Sequence, residues 1–137
     1  MANITRYWAK KLVDHSLGKA SATMPTTVYL ALLANNPGPD GALTGEPSGN
    51  NYARVAITSA MQATDLATGV STNTTVVQFP TASGSWGTSA LAYWGILDAS
   101  TAGNMLFYGA LTPAITVGAG DAPPFPEGSL TLGIKIT

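Results

Sequence analysis

The side chains able to do chemistry in this chain are few and scattered. There is one histidine, His15, and no cysteine. Nucleophilic catalysis needs a nucleophile, a base and a group that orients the base. A lone histidine inside a helical pattern reads as a packing or surface residue, so a hydrolase triad has no support. The seven carboxylates, Asp14, Asp40, Glu46, Asp65, Asp98, Asp121 and Glu127, stand singly, and a paired acid/base site would depend on the fold bringing two of them together. Asp98 and Asp121 lie beside glycine-containing turns, where a carboxylate bonds nearby backbone N–H groups more readily than it serves catalysis or calcium. Gly38, Gly41, Gly45 and Gly49 lack the spacing of a phosphate cradle, and no Lys-Ser/Thr pair follows them. No Gly-X-Y period is sustained either. Arg54 is the only arginine after the N-terminal segment. Its planar fork suits a loop carboxylate, Asp40 or Glu46 or one on another subunit, with a solvated surface position as the plain alternative. The expectation is therefore no catalytic residue, no cofactor and no metal site.

The elements that would position these residues are mostly strands. Two dense uncharged runs, Leu91–Leu97 and Met105–Leu111, flank DASTAGN at 98–104. Aromatic and branched residues fill both runs, and Asp98, Gly103 and Asn104 supply the turn, which predicts a central β-hairpin. Both alternating faces are apolar, so each strand should be covered on both sides, by the core on one and by another subunit on the other. Thr27–Ala34 reads as a buried strand, with Val28, Leu30 and Leu32 on one face. Tyr52–Thr58 alternates, with Tyr52 and Arg54 opposite Ala53, Val55 and Ile57. Thr74–Phe79 is a strand stopped by Pro80. Thr112-Pro113 should turn the chain, 115–117 could form a short strand, and 122–128 is extended and rich in proline. Residues 129–137, SLTLGIKIT, alternate cleanly, with Leu130, Leu132, Ile134 and Ile136 on one face. The segment 61–72 is ambiguous. The long Gly/Pro-rich loop 35–51 exceeds the usual connection length, and such loops are often functional or ordered by a partner.

One helix is predicted, over 3–17, capped by Asn3 and ended by Gly18. Ile4, Tyr7, Trp8 and Leu12, with His15, form an apolar stripe that needs covering, while Arg6, Lys10 and Asp14 lie opposite. The whole pattern predicts a mainly β chain: one domain over 1–137, with a helix at 3–17 and a β-sandwich or jelly-roll-like barrel at 25–137.

Composition narrows the function classes. Lys plus Arg number 6 against 7 for Asp plus Glu, a net charge of −1. Neither nucleic acid nor an anionic membrane is an expected partner. No run approaches the roughly 18 apolar residues of a membrane span, and Arg6, Lys10, Lys11 and Asp14 interrupt any signal peptide, so a soluble, unprocessed chain is expected. Charged residues make up 9%, against about 25% in typical soluble domains. A surface so poor in charge fits a protein hidden in an assembly, or a plain Gly/Ser/Thr/Asn-rich β-protein.

The order TVYLALLANNP, EPSGNNYARV, FP followed by SWGT, AYWGILDASTAGNMLFYGAL and AGDAPPFPEGSLTL resembles a family of small structural proteins of tailed bacteriophages. Its members are labelled tail-fibre-like or virion proteins, and some similar small proteins decorate capsids. The resemblance implies a virion component with no catalytic residues to carry over. Absent repeats and heptads favour a compact knob or cement subunit over a fibre shaft. The expected function is capsid decoration: a homo-oligomer on the capsid exterior that reinforces the major capsid protein, docking through the helix and the 35–51 loop. The interface candidates are Ile4, Tyr7, Trp8, Leu12, Tyr52, Arg54 and Trp86, the last as an aromatic plug at the hairpin entry. The alternative is a module on the tail fibre or tail tip that contacts the host surface, favoured by exposed Trp and Tyr at loop tips. A carbohydrate-binding or carbohydrate-active jelly roll is a lesser reading, which two carboxylates converging in an aromatic cleft would revive.

Overall fold

The computed structural model describes residues 2–134. The chain is mainly β, and the described residues form nine strands and one helix in the order β1 (Asn3–Ile4), α1 (Arg6–Ser16), β2 (Tyr29–Leu33), β3 (Val55–Ala56), β4 (Val70–Thr72), β5 (Val77–Gln78), β6 (Leu91–Leu97), β7 (Met105–Ile115), β8 (Pro124–Phe125) and β9 (Thr131–Gly133). The main sheet is antiparallel in the order β1-β7-β6-β2-β3. Two short ladders, β4 with β9 and β5 with β8, lie outside the main sheet. The layering is that of a β-sandwich.

The β6–β7 hairpin is the spine of the main sheet. Its turn closes where expected. Asp98 N–H donates to the Asn104 carbonyl, and the Asp98 carboxylate accepts from the backbone and side-chain N–H groups of Asn104. Gly103 has φ 75°, and a Cβ there would lie 2.5 Å from Asp98 Oδ1, so no other residue fits this turn without moving that carboxylate. The predicted turn at Thr112-Pro113 is corrected: β7 runs on to Ile115, and no separate strand forms at 115–117. Tyr93 pairs with Ala110 but Leu91 with Ile115, so the extra residues around Pro113 are taken up as a bulge. Proline, which cannot donate to a ladder, is tolerated there.

The first face of the sheet carries Leu30, Leu32, Trp94 and Ile96. It packs against Ile57, which follows β3, and against Val77, Phe79, Trp86, Val117, Phe125 and Leu130 from the small ladders and the segments around them. The second face carries Ala31, Leu33, Leu97 and Met105, with Tyr93 and Tyr108 half-buried against them. Both faces are covered, as the uncharged runs predict. The cover on the second face is the chain's own 35–51 loop, where the expectation was another subunit. Leu43 packs on that face, and a Cβ on Gly41 would stand 2.9 Å from Met105 Cβ.

The helix is shorter than predicted. Asn3 and Ile4 form β1, paired with Tyr108 and Phe107 of β7, so the cap is Thr5. Its hydroxyl accepts from Trp8 N and donates to the Met105 carbonyl. Gly18 ends the helix with φ 65°, as expected. The strand at 52–58 shrinks to Val55–Ala56, and simple alternation fails there, since Tyr52, Val55 and Ile57 all meet the same core. In the last strand Leu130 is buried and Leu132 half-buried, but Ile134 is exposed. The predicted continuation through Lys135, Ile136 and Thr137 lies outside the described residues.

Candidate functional site

The predicted interface residues fall into two groups. Tyr52, Arg54 and Trp86 converge on one internal cluster, whereas Ile4, Tyr7, Trp8 and Leu12 line the N-terminal segment.

The first group begins with Arg54, just before β3. Its Nε donates to Glu46 Oε1 at 2.7 Å and its Nη2 to Glu46 Oε2 at 2.8 Å, a bidentate fork. Its Nη1 donates to the carbonyls of Ala99 and Ala102, at 2.8 and 2.7 Å. The arginine thus ties the 35–51 loop to the hairpin turn. Its side chain is 4% exposed and that of Glu46 14%. Of the carboxylates that sequence offered Arg54, Glu46 is the partner; Asp40 instead bonds Arg6 at the surface. The hydrogen bond to Glu46 pushes the Arg54 pKa up, more than burial lowers it.

Tyr52 completes the cluster. Its hydroxyl donates to Glu46 Oε1 at 3.0 Å and accepts from the Leu32 N–H at 3.1 Å. β3 pairs with β2 only at Tyr29 and Leu30, so the phenol supplies a partner that the sheet edge does not. Burial pushes the Tyr52 pKa well up, and the negative charge of Glu46 adds to the effect. The ring meets Trp86 edge-on at 5.1 Å and stacks on Phe79 at 6.3 Å. Trp86 is 3% exposed, and its indole N–H donates to the Asn50 carbonyl at 2.9 Å. It is the predicted plug, turned inward.

An open cleft of about 450 Å³ lies over this cluster, walled by Leu43, Pro47, Ser48, Ser100 and Thr101. Glu46 is the one carboxylate lining it, and both of its oxygens are engaged by Arg54 and Tyr52. The convergence of two carboxylates that would mark a glycosidase is not present in this cleft. Among the described residues, no three His, Asp or Glu side chains are grouped to hold a metal ion. Asp121 accepts from the Gly118 N–H, a turn role like that of Asp98.

In the second group only Trp8 is buried; Ile4 and Leu12 are half-buried, and Tyr7 is exposed beneath the Lys11 ammonium, 5.5 Å from its ring centre. His15 is exposed, and its Nδ1 accepts from the Ala22 N–H. Lys10 pairs with Asp14. The outward stripe of α1 was missed by sequence reasoning. It carries Val13 and Leu17, and their i, i+4 spacing beside Lys10 was the available signal.

A family model described as Podophage GP4 fiber I protein gp80 matches residues 3–133. No curated protein matches the chain.

Proposed function

The chain belongs to the Podophage GP4 fiber I protein gp80 family, a family of phage virion structural proteins, and on that premise we propose that it is a compact structural subunit of a virion fibre, without catalysis of its own. The observation that carries this reading is the reach of the match over residues 3–133, which takes in the helix, the hairpin and the Arg54 cluster together. The geometry supports it. Arg54, Glu46 and Tyr52, the polar groups most capable of chemistry, are engaged with one another and with backbone, which is the arrangement of a clamp. The sequence lacks heptads and repeats, so the subunit serves as a knob or joint, with no shaft of its own.

Reading a host surface at a fibre tip would call for exposed aromatic platforms. Trp8, Trp86 and Trp94 are all buried, and the exposed Tyr7 lies on α1 under Lys11 and at no loop tip, which favours a structural place within the fibre over a receptor-binding one. Capsid decoration, the function expected from sequence, is the rival outcome. Particles assembled without this chain distinguish the two. The fibre reading predicts that fibre appendages are lost or shortened while heads keep their resistance to heat and osmotic shock. Fragile heads with intact fibres would assign the chain to the capsid lattice.

A further inference from the structure

Two apolar surfaces of the chain have no cover among the described residues. One is the outward stripe of α1, where Arg6, Lys10, Val13 and Leu17 follow one another at helical spacing. Val13 is 55% exposed and Leu17 65%. The other is a groove of about 620 Å³ between the first face of the main sheet and the β4–β9 ladder. Val28, Met61, Phe107, Leu132 and Ile134 line it, and among the described residues none that line it is charged. The turn at its rim presents Leu66, 97% exposed, next to Asp65, whose carboxylate holds the turn by accepting from the N–H groups of Ala67 and Thr68.

The two surfaces complement each other in shape and in charge. The stripe is a convex pair of aliphatic side chains flanked by the exposed cations Lys10 and Lys19. The groove is concave, its described lining carries no charge, and an acid stands on its rim. Lys10 is paired with Asp14, but that contact is open to water on the lysine side and is worth little, so it does not hold the cation back. Thr5, which leads into α1, sits beside Gly41 and Met105 on the second face of the sheet, whereas Phe107 and Val28, which line the groove, pack toward the core on the first face.

We propose that a second copy of this chain seats its α1 stripe in the groove, with Val13 and Leu17 buried against Met61, Leu132 and Leu66, and with Lys10 and Lys19 facing Asp65. This rests on the reading of the chain as a fibre subunit, which supplies the second copy. The contact is heterologous: each copy gives its helix to one neighbour and its groove to another, so the assembly closes into a ring or extends as a filament. An 11-residue helix is about 16 Å long. A single contact is therefore small beside the roughly 1,600 Å² of a standard interface, weak alone and reinforced by closure.

The test uses the purified full chain, with sedimentation velocity followed up to about 100 µM. Leu17→Glu and Ala63→Glu alter exposed positions on the stripe and on the groove rim, so both variants should fold, which circular dichroism checks. Each should weaken self-association about thirtyfold or more, and added salt should weaken the wild type. Mixing the two variants is the decisive arm. Only the intact helix of Ala63→Glu and the intact groove of Leu17→Glu can meet, so the mixture should stop at a one-to-one dimer. A wild type that stays monomeric throughout the range, variants that assemble like the wild type, or a mixture that forms no dimer would each overturn the contact. If Leu17→Glu is excluded from particles while the wild type is monomeric, the stripe docks on a different virion protein. None of these results bears on the fibre assignment, which depends on where the chain sits in the particle.

Discussion

Replacing Arg54 with alanine should destabilise the chain strongly. Arg54 makes four hydrogen bonds, two to Glu46 and two to the carbonyls of Ala99 and Ala102. Removing one partner of a buried ion pair costs about 3–5 kcal/mol, because the other charge is left buried and uncompensated. The cleft above the pair lets water reach Glu46, which puts the cost at the lower end, about 3 kcal/mol. For 137 residues that corresponds to a fall in Tm of about 12 °C. Arg54→Lys keeps the charge, but one ammonium cannot fork onto both carboxylate oxygens and also reach the turn, so it should recover roughly half the loss. Replacing the pair together, with Glu46→Leu and Arg54→Met, should be milder than Arg54→Ala alone. Thermal unfolding followed by near-UV circular dichroism gives Tm. Amide exchange at 98–104 reports whether the hairpin turn loosens with the clamp. An Arg54→Ala protein melting within about 4 °C of the wild type, or a lysine variant as damaged as the alanine one, would refute the clamp.

Tyr52→Phe leaves the Leu32 N–H without its acceptor and Glu46 without a donor, and should cost about 1–3 kcal/mol. The folded phenol has a raised pKa, so its contribution is fully present below the ordinary tyrosine value of about 10 and is lost as pH climbs above it, where the unfolded phenol ionises and the folded one does not. Urea unfolding from neutral pH to about pH 11 should therefore decline less steeply in the phenylalanine variant, and equal slopes would contradict the burial argument. Gly109→Ala puts a Cβ 2.5 Å from the Trp94 ring and should cost about 1–3 kcal/mol by overpacking, with a changed near-UV spectrum; an unaltered melt would mean that the indole moves freely. Thr5→Ala removes the cap on α1 and the bond to Met105, a loss of about 1–2 kcal/mol in the same melt, whereas Thr5→Ser should restore most of it.

The hairpin was legible in the sequence because its signals agree: two uncharged runs, and between them Asp98, Gly103 and Asn104 at spacings that close a turn. Burial on both faces of β2, β6 and β7 was legible for the same reason. What covers the second face was not. Leu43 and Gly41 sit in a segment with no periodicity, and an apolar strand face does not say whether its cover comes in cis or from a neighbour. The helix start misled because Asn3 and Thr5 are both competent caps; the pairing of Asn3 and Ile4 with β7, a contact about 100 residues away in sequence, decides between them. Pro113 misled because proline usually ends a strand, and only the register shift against β6 absorbs it. In the candidate site, the reach of Arg54 toward Glu46 was readable from charge and chemistry. Its grip on Ala99 and Ala102 was not, since backbone carbonyls leave no mark in composition. Tyr52, placed on a strand face with Arg54, and Trp86, placed as a plug at the hairpin entry, were named as interface candidates, and both pack into the chain's own core.

The claim that this chain is a structural subunit of the virion fibre is tested most directly by immunogold electron microscopy of intact particles, with antibody raised against the purified chain. The account predicts gold on the fibres and bare heads. Gold spread over the capsid surface, with the fibres unlabelled, would contradict it.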